Sequence, residues 1–296
     1  MAFILLSALA YGAMPILAKV AYAEGLRPAG LLAYRFLVAS ALFSVTAPRD
    51  APALPWGRRL VLWGLGDVFF GNSLAYFKAL ETTPASVVAF LLYTYPVLVT
   101  LLSGLAGLDP LTPSGLASAA LAFLGAALTV GSIPGGSSGS GVAFSLTAAL
   151  VYSVYVVLAG RFAAGTPSEA AARHVAQACA VFFLLWAALE GHLAAPPSAR
   201  AWGATLGIAV ACTVVALRAF LAGLARVGPS RAAVASALEV LVTVILASLF
   251  LGETVGARQW AGGILILGAV ALHNVGRLRQ TGGAPASGAG TTDDGG

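Results

Sequence analysis

About ten apolar stretches, each roughly as long as the 20 residues a helix needs to cross a bilayer, leave this chain almost no way to fold except within lipid. They run near 2–22, 28–47, 60–80, 84–108, 113–131, 141–162, 168–189, 202–224, 229–251 and 257–276. Hydrophobic residues make up 59% of the sequence and charged residues 9%, too little polar material to clothe a water-soluble surface. The runs are continuous rather than alternating, which indicates helices and not barrel strands. Pro28, Pro84, Pro113, Pro167 and Pro229 stand where helices should begin. Pro15 and Pro96 fall inside helices, where a kink is expected.

Lysine and arginine alternate between the span ends unevenly. With the amino terminus inside, Arg49, Arg58, Arg59, Arg161, Arg173, Arg226, Arg231, Arg277 and Arg279 gather on the cytoplasmic side. The other side receives Arg27, Arg200 and Arg258, with Lys19, Arg35 and Lys78 deeper in the helices ending there. Both termini are therefore expected in the cytoplasm of a multi-pass cell-membrane protein. The net charge of +5 is then a topology signal and not a nucleic-acid footprint. The first stretch lacks a basic leader and a small-residue cleavage site, so it reads as a retained helix. Cys179 and Cys212 sit in apolar stretches as small hydrophobes.

The second half echoes the first. Ala2, Phe3, Leu5, Ala8, Leu9, Tyr11, Leu17 and Ala18 pair at constant offset with Ala143, Phe144, Leu146, Ala149, Leu150, Tyr152, Leu158 and Ala159. Further on, at slightly different offsets, Pro84 pairs with Pro229 and Arg35 falls opposite Arg173. The expected organisation is a first five-helix repeat at 1–134, a Gly/Ser linker at 135–141, a second five-helix repeat at 142–279 and a disordered cytoplasmic tail at 280–296. Five is odd, so the second half must cross the membrane in the opposite sense, giving an all-α membrane protein of two inverted repeats. A cavity between two such bundles would open first to one side and then to the other.

Particular residues add a family resemblance. The stretch Ala235-Ser236-Ala237-Leu238-Glu239-Val240-Leu241-Val242-Thr243, then Leu251-Gly252-Glu253, then Gln259-Trp260-Ala261-Gly262-Gly263, resembles the signature of the EamA family in the drug/metabolite transporter superfamily. A weaker first-half echo is Tyr95-Pro96-Val97-Leu98-Val99-Thr100, then Leu108-Asp109, then Gly125. The resemblance covers all but the tail. It implies a ten-helix secondary transporter with a central cavity, exporting or exchanging small metabolites. Two positions depart from the family pattern: Val240 replaces the proline usual after the glutamate, and Asp109 stands where glutamate is usual.

An ionisable residue within a span is expensive and suggests function. Arg35, Asp67, Arg218 and Glu239 qualify. Glu239, about ten residues into the ninth stretch, needs a partner, a proton or water near the midplane. A proton-coupled exchanger requires such a group, whereas a structural carboxylate would bond a helix end or an arginine. Its first-half counterpart is Tyr95, so only one half offers a proton site. Asp67 shares a helix face with Gly71, Leu74 and Lys78 at about 100° per residue. That stripe would suit the two ends of a zwitterion; alternatively Lys78 reaches for the interface while Asp67 pairs with an arginine. Arg218 is the candidate cation for an anionic group, or the partner of Glu239. Arg35 and Arg173, repeated in both halves, read as braces bonding loop carbonyls.

Trp56, Trp186, Trp202 and Trp260 fall near span ends, as an interfacial belt would, with Trp63 a little deeper. Tyr11, Tyr76, Tyr93, Tyr95, Tyr152 and Tyr155 fall within spans, where a hydroxyl needs a partner. With Asn72 they are expected to line the cavity and bind a small-molecule substrate such as an amino acid, a related metabolite or a drug; interhelical packing is the alternative for any one of them. Gly71, Ala75 and Ala79 predict a close helix contact.

The expected function is thus a secondary carrier with lipid, a small solute and protons as its partners. No G-x-x-x-x-G-K-[ST] loop occurs, and His174, His192 and His273 are scattered without an H-E-x-x-H, so neither ATP hydrolysis by that route nor an intramembrane enzyme is indicated. No metal site, cofactor or catalytic residue is expected. A channel-like facilitator is the alternative, although no ring of charges or carbonyl filter can be read.

Overall fold

The computed structural model describes residues 1–48, 53–108, 111–130, 139–227 and 237–281, with backbone alone at 227 and from 273 to 281. Arg49, Asp109, Pro229, Arg231, most of the Gly/Ser joint and the tail from 282 onward lie outside these residues.

The chain forms helices α1 (Ala2–Ala23), α2 (Pro28–Val45), α3 (Trp56–Thr82), α4 (Ala85–Leu92), α5 (Tyr95–Leu105), α6 (Pro113–Val130), α7 (Gly139–Phe162), α8 (Ser168–Leu189) and α9 (Ala199–Ala209). A π-turn, Val210–Val215, joins α9 to α10 (Ala216–Val227), and α11 (Leu238–Leu251) and α12 (Ala257–Thr281) complete the described chain. Taking α4 with α5, and α9 with α10, eight spans are long and apolar enough to cross a membrane, and Leu238–Leu251 and Ala257–Leu272 are shorter apolar helices.

Neighbours are arranged with internal symmetry. Helix α2 lies on α8 and α6 on α12, each an element against its own counterpart. The α3–α7 contact is mirrored by α1 against the α9–α10 span, and the α1–α11 contact by α7 against α4 and α5. Exchanging the first five spans with the last five maps this set of neighbours onto itself. Counting the two shorter apolar helices as spans, the described residues hold five in each half, the arrangement of an inverted repeat.

Small residues set the closest approaches. A Cβ on Gly125 would meet the Gly262 carbonyl oxygen at 2.6 Å, and one on Gly12 would meet the Glu239 carbonyl oxygen at 2.8 Å. Only glycine lets these backbones approach so far. Gly71 is different from expectation: its Cβ would meet only Val151 of α7, at 3.8 Å, whereas one on Gly66 would meet Ala178 Cβ of α8 at 2.5 Å. Large apolar side chains such as Leu249 and Phe250 remain exposed on the outer faces, as lipid contact allows. Trp56, Trp202 and Trp260 are exposed as a belt requires, whereas Trp186 turns toward Phe70, ring centroids 6.2 Å apart.

Two interruptions shape the middle of the bundle. Pro96 does not kink a continuous helix; the helical ladder lapses at Tyr93–Thr94 and Pro96 enters the first turn of α5, where its missing N–H is harmless. The π-turn does the same in the span of α9 and α10. Glu239, expected well inside a helix, lies in the first turn of α11 as described.

Candidate functional site

Aromatic rings form a row through the middle of the molecule. Tyr93 meets Tyr95 at 5.8 Å, Tyr95 meets Tyr152 at 4.7 Å, and Tyr152 stacks on Tyr155 at 5.9 Å between centroids. Tyr155 continues to Phe69 at 5.0 Å, and Phe69 to Phe36 at 6.2 Å. These separations are those of favourable edge and stacked pairs. The row ends at a cation, because the Arg35 guanidinium lies 4.7 Å from the Phe36 centroid and 5.3 Å from that of Phe77.

Glu239 stands beside the other end. It is within electrostatic reach of Tyr11, Tyr76, Tyr93, Tyr95 and Tyr152. Tyr11 and Tyr76 are within reach of Arg35 as well, so they stand between the two charges. Arg35 and Glu239 form no ion pair with each other.

The hydrogen bonding is sparse where it should be dense. Among the described residues, the hydroxyls of Tyr11, Tyr76, Tyr93, Tyr95, Tyr152 and Tyr155 and the carboxylate of Glu239 have no hydrogen-bond partner, yet none is among the side-chain atoms sealed away without one. Buried polar groups are otherwise almost always paired. Each of these polar atoms therefore keeps access to a water-sized space, and both halves supply them.

Several expected site residues lie elsewhere. Asn72 is buried and its amide donates to the Ala148 carbonyl at 2.9 Å, tying α3 to α7. Arg218 pairs with Glu169 and also donates to Thr46 Oγ1 at 2.6 Å, so it joins the ends of α2 and α8 to α10 and does not meet Glu239. Asp67 is exposed and is two residues, about 200° of helical rotation, from Phe69 of the aromatic row. Lys78 pairs with Glu190 at 3.6 Å, so the proposed zwitterion stripe on α3 does not form one site.

Arg35 reverses expectation. It bonds no loop carbonyl; its Nε donates to Thr213 Oγ1 of the π-turn at 3.0 Å, and only 5% of the residue is exposed. The sequence signal was present, since it is an arginine within an apolar span, but its repetition as Arg173 suggested architecture. Phe36, Phe69 and Thr213 were not anticipated, and nothing in their local sequence distinguishes them from core residues.

At the end of the molecule where α3 meets α4, the halves are latched. Glu253, just beyond α11, accepts from the backbone nitrogens of Ala85 at 2.6 Å and Ser86 at 3.0 Å and from Ser86 Oγ at 2.7 Å. A carboxylate at a helix N-terminus satisfies orphan donors and meets the positive end of the dipole. Lys19 donates to the Thr83 carbonyl alongside, at 2.8 Å. A separate cleft of about 510 Å³ lined by Tyr22, Gly25, Leu26, Arg27, Glu81 and Thr82 carries its own Arg27–Glu81 pair at 3.4 Å.

Two helical halves related by internal symmetry, with polar side chains between them, outline a multi-pass membrane protein of repeated architecture. The chain belongs to the EamA-like transporter family, whose model matches residues 1–131 and again 139–275. It is similar to the "Uncharacterized transporter YcbK" of Bacillus subtilis (strain 168), 28% identical over 274 residues that cover 88% of each protein. One solved protein crystal structure shares the fold with a TM-score of 0.69 at 21% identity, covering 94% of this chain and 97% of that one.

Proposed function

We propose that this protein is a secondary carrier of the cell membrane that moves small metabolites by alternating access, in export or proton-coupled exchange, and that it is not an enzyme. Its working parts are the two repeats at 1–134 and 142–279, joined by the 135–141 linker, with both termini and the 280–296 tail in the cytoplasm. The observation that carries this reading is the convergence of unbonded but unsealed tyrosine hydroxyls and the Glu239 carboxylate from both halves. An aqueous pocket bounded by oppositely threaded bundles suits rocking of one against the other.

In this mechanism Glu239 carries the coupling proton, and Tyr11, Tyr76, Tyr93, Tyr95, Tyr152 and Tyr155 surround the solute. The Glu253 cap on α4 closes the extracytoplasmic end, and substrate and proton exchange at the cytoplasmic end. Asn72, Asp67 and Arg218 support the helices rather than the solute.

Counterflow in proteoliposomes tests the carrier. A radiolabelled amino-acid mixture outside should enter vesicles faster when they are preloaded with the same unlabelled mixture. Uptake of that mixture without trans-stimulation would identify an open pore instead.

A further inference from the structure

Arg35 is a buried cation whose charge no carboxylate answers. Among the described residues its only hydrogen bond is from Nε to Thr213, and no ion pair involves it. Its two terminal nitrogens are not among the sealed, unsatisfied atoms, so each keeps access to a water-sized space. Leaving a guanidinium unpaired in a low-dielectric span is costly, and such residues are kept where they act. Its guanidinium lies over the rings of Phe36 and Phe77, and its Nε edge is taken by Thr213. What remains is the end-on pair of nitrogens, a planar fork that matches a carboxylate.

We propose that Arg35 is the anion-binding residue of this transporter and that its substrates carry a single carboxylate on a flat or branched apolar body. The inference rests on the carrier reading above and names its substrate class. One charge is favoured over a phosphate-like dianion because the titratable groups within electrostatic reach of Arg35 are Tyr11, Tyr22, Tyr76, Cys179 and Cys212, none of them a second cation. Glu239, which shares Tyr11 and Tyr76 with Arg35, would repel additional negative charge. The row of aromatic rings leading away from the guanidinium supplies apolar walls for the rest of the molecule.

The test uses purified full-length protein and two probes that differ only in charge, 3-phenylpropanoate and 3-phenylpropanamide, with binding measured by titration calorimetry. The wild type should bind the carboxylate at least about tenfold more tightly than the amide, the margin expected of a charge-assisted bidentate pair. Arg35→Gln should bind both equally, and Arg35→Lys should keep only part of the preference because the fork is lost. If Arg35→Gln does not fold, Thr213→Val supplies the reading: the guanidinium stays but is no longer pinned, and the preference should shrink severalfold. Equal binding of both probes by the wild type, no binding of either, or an undiminished preference in the variants that fold would overturn the proposal. Carboxylate preference without counterflow would keep the anion site and sink the carrier reading, so the two failures are distinct.

Discussion

Thr213 Oγ1 accepts from Arg35 Nε at 3.0 Å while donating its own proton to the Ile208 carbonyl at 2.8 Å. The second bond spans five residues, the reach of a π-turn, and it orients the hydroxyl lone pair toward α2. A regular α-helix would present a different residue there. The irregular turn thus fixes the guanidinium of one half from the other half, a use consistent with π-turns gathering at functional places.

Glu239→Gln is expected to leave the fold intact and to flatten the dependence of transport on pH, because the variant has no carboxyl proton to exchange. Flux in proteoliposomes across a pH series reads this directly. A variant whose flux still follows pH as the wild type does removes Glu239 from the coupling role.

Arg218→Ala should act as a structural change. Its pair with Glu169 is about a third exposed on each side, so the loss is on the order of 1 kcal/mol or less. A small fall in Tm by scanning fluorimetry, with the ratio of anionic to cationic substrates unchanged, is the expected outcome. A selective loss of anionic substrates would restore it to the binding site.

Gly12→Ala should be the more damaging substitution despite its size. The added Cβ would lie 2.7 Å from Val242 Cγ1 and 2.8 Å from the Glu239 carbonyl oxygen, forcing α1 and α11 apart. Overpacking of this kind costs about 1–3 kcal/mol. Unfolding in detergent should show the loss, and transport should fall with it because Glu239 is carried on the displaced turn.

Glu253→Ala removes the acceptor from two backbone nitrogens and a hydroxyl at the start of α4. Loss of a helix cap costs about 0.5–2 kcal/mol. In a background carrying Thr83→Cys, at a position only 1% exposed while the latch is closed, thiol labelling from the membrane side that bears Glu253 should quicken severalfold as that end opens. Unaltered labelling would mean the latch does not govern access.

The spans, their number and the doubled architecture were legible because lipid imposes one simple requirement, a long apolar helix, and because Tyr11 and Tyr152 are hard to match by chance. The tyrosines and Glu239 stood out for the opposite reason: polar atoms in apolar runs need an explanation. What the chain did not disclose was direction around each helix. Asp67 looked as telling as Glu239 until its rotation relative to Phe69 was known, and Asn72 and Arg218 found partners in Ala148 and Glu169 that lie far away in sequence. Arg35 was expected to bond loop carbonyls because its repetition as Arg173 resembled scaffolding, whereas its Nε bonds Thr213 of the other half. The breaks at Tyr93–Thr94 and Val210–Val215 have no local marker beyond Pro96, since residues such as Val, Ala and Thr also suit a regular helix.

The division of the fourth span into α4 and α5 gives it two separate moorings. Its outer piece hangs from Glu253, and the inner piece lies against Ser153 Oγ, which shares its one proton between the Ala149 carbonyl of its own helix at 2.6 Å and the Tyr95 carbonyl at 3.1 Å. A tug on the Glu253 mooring would reach the lapse in the ladder as a swivel at Tyr93 and Tyr95, the first two rings of the aromatic row. Unfastening the membrane surface would thereby reshape the chamber at its centre, without any other helix having to bend.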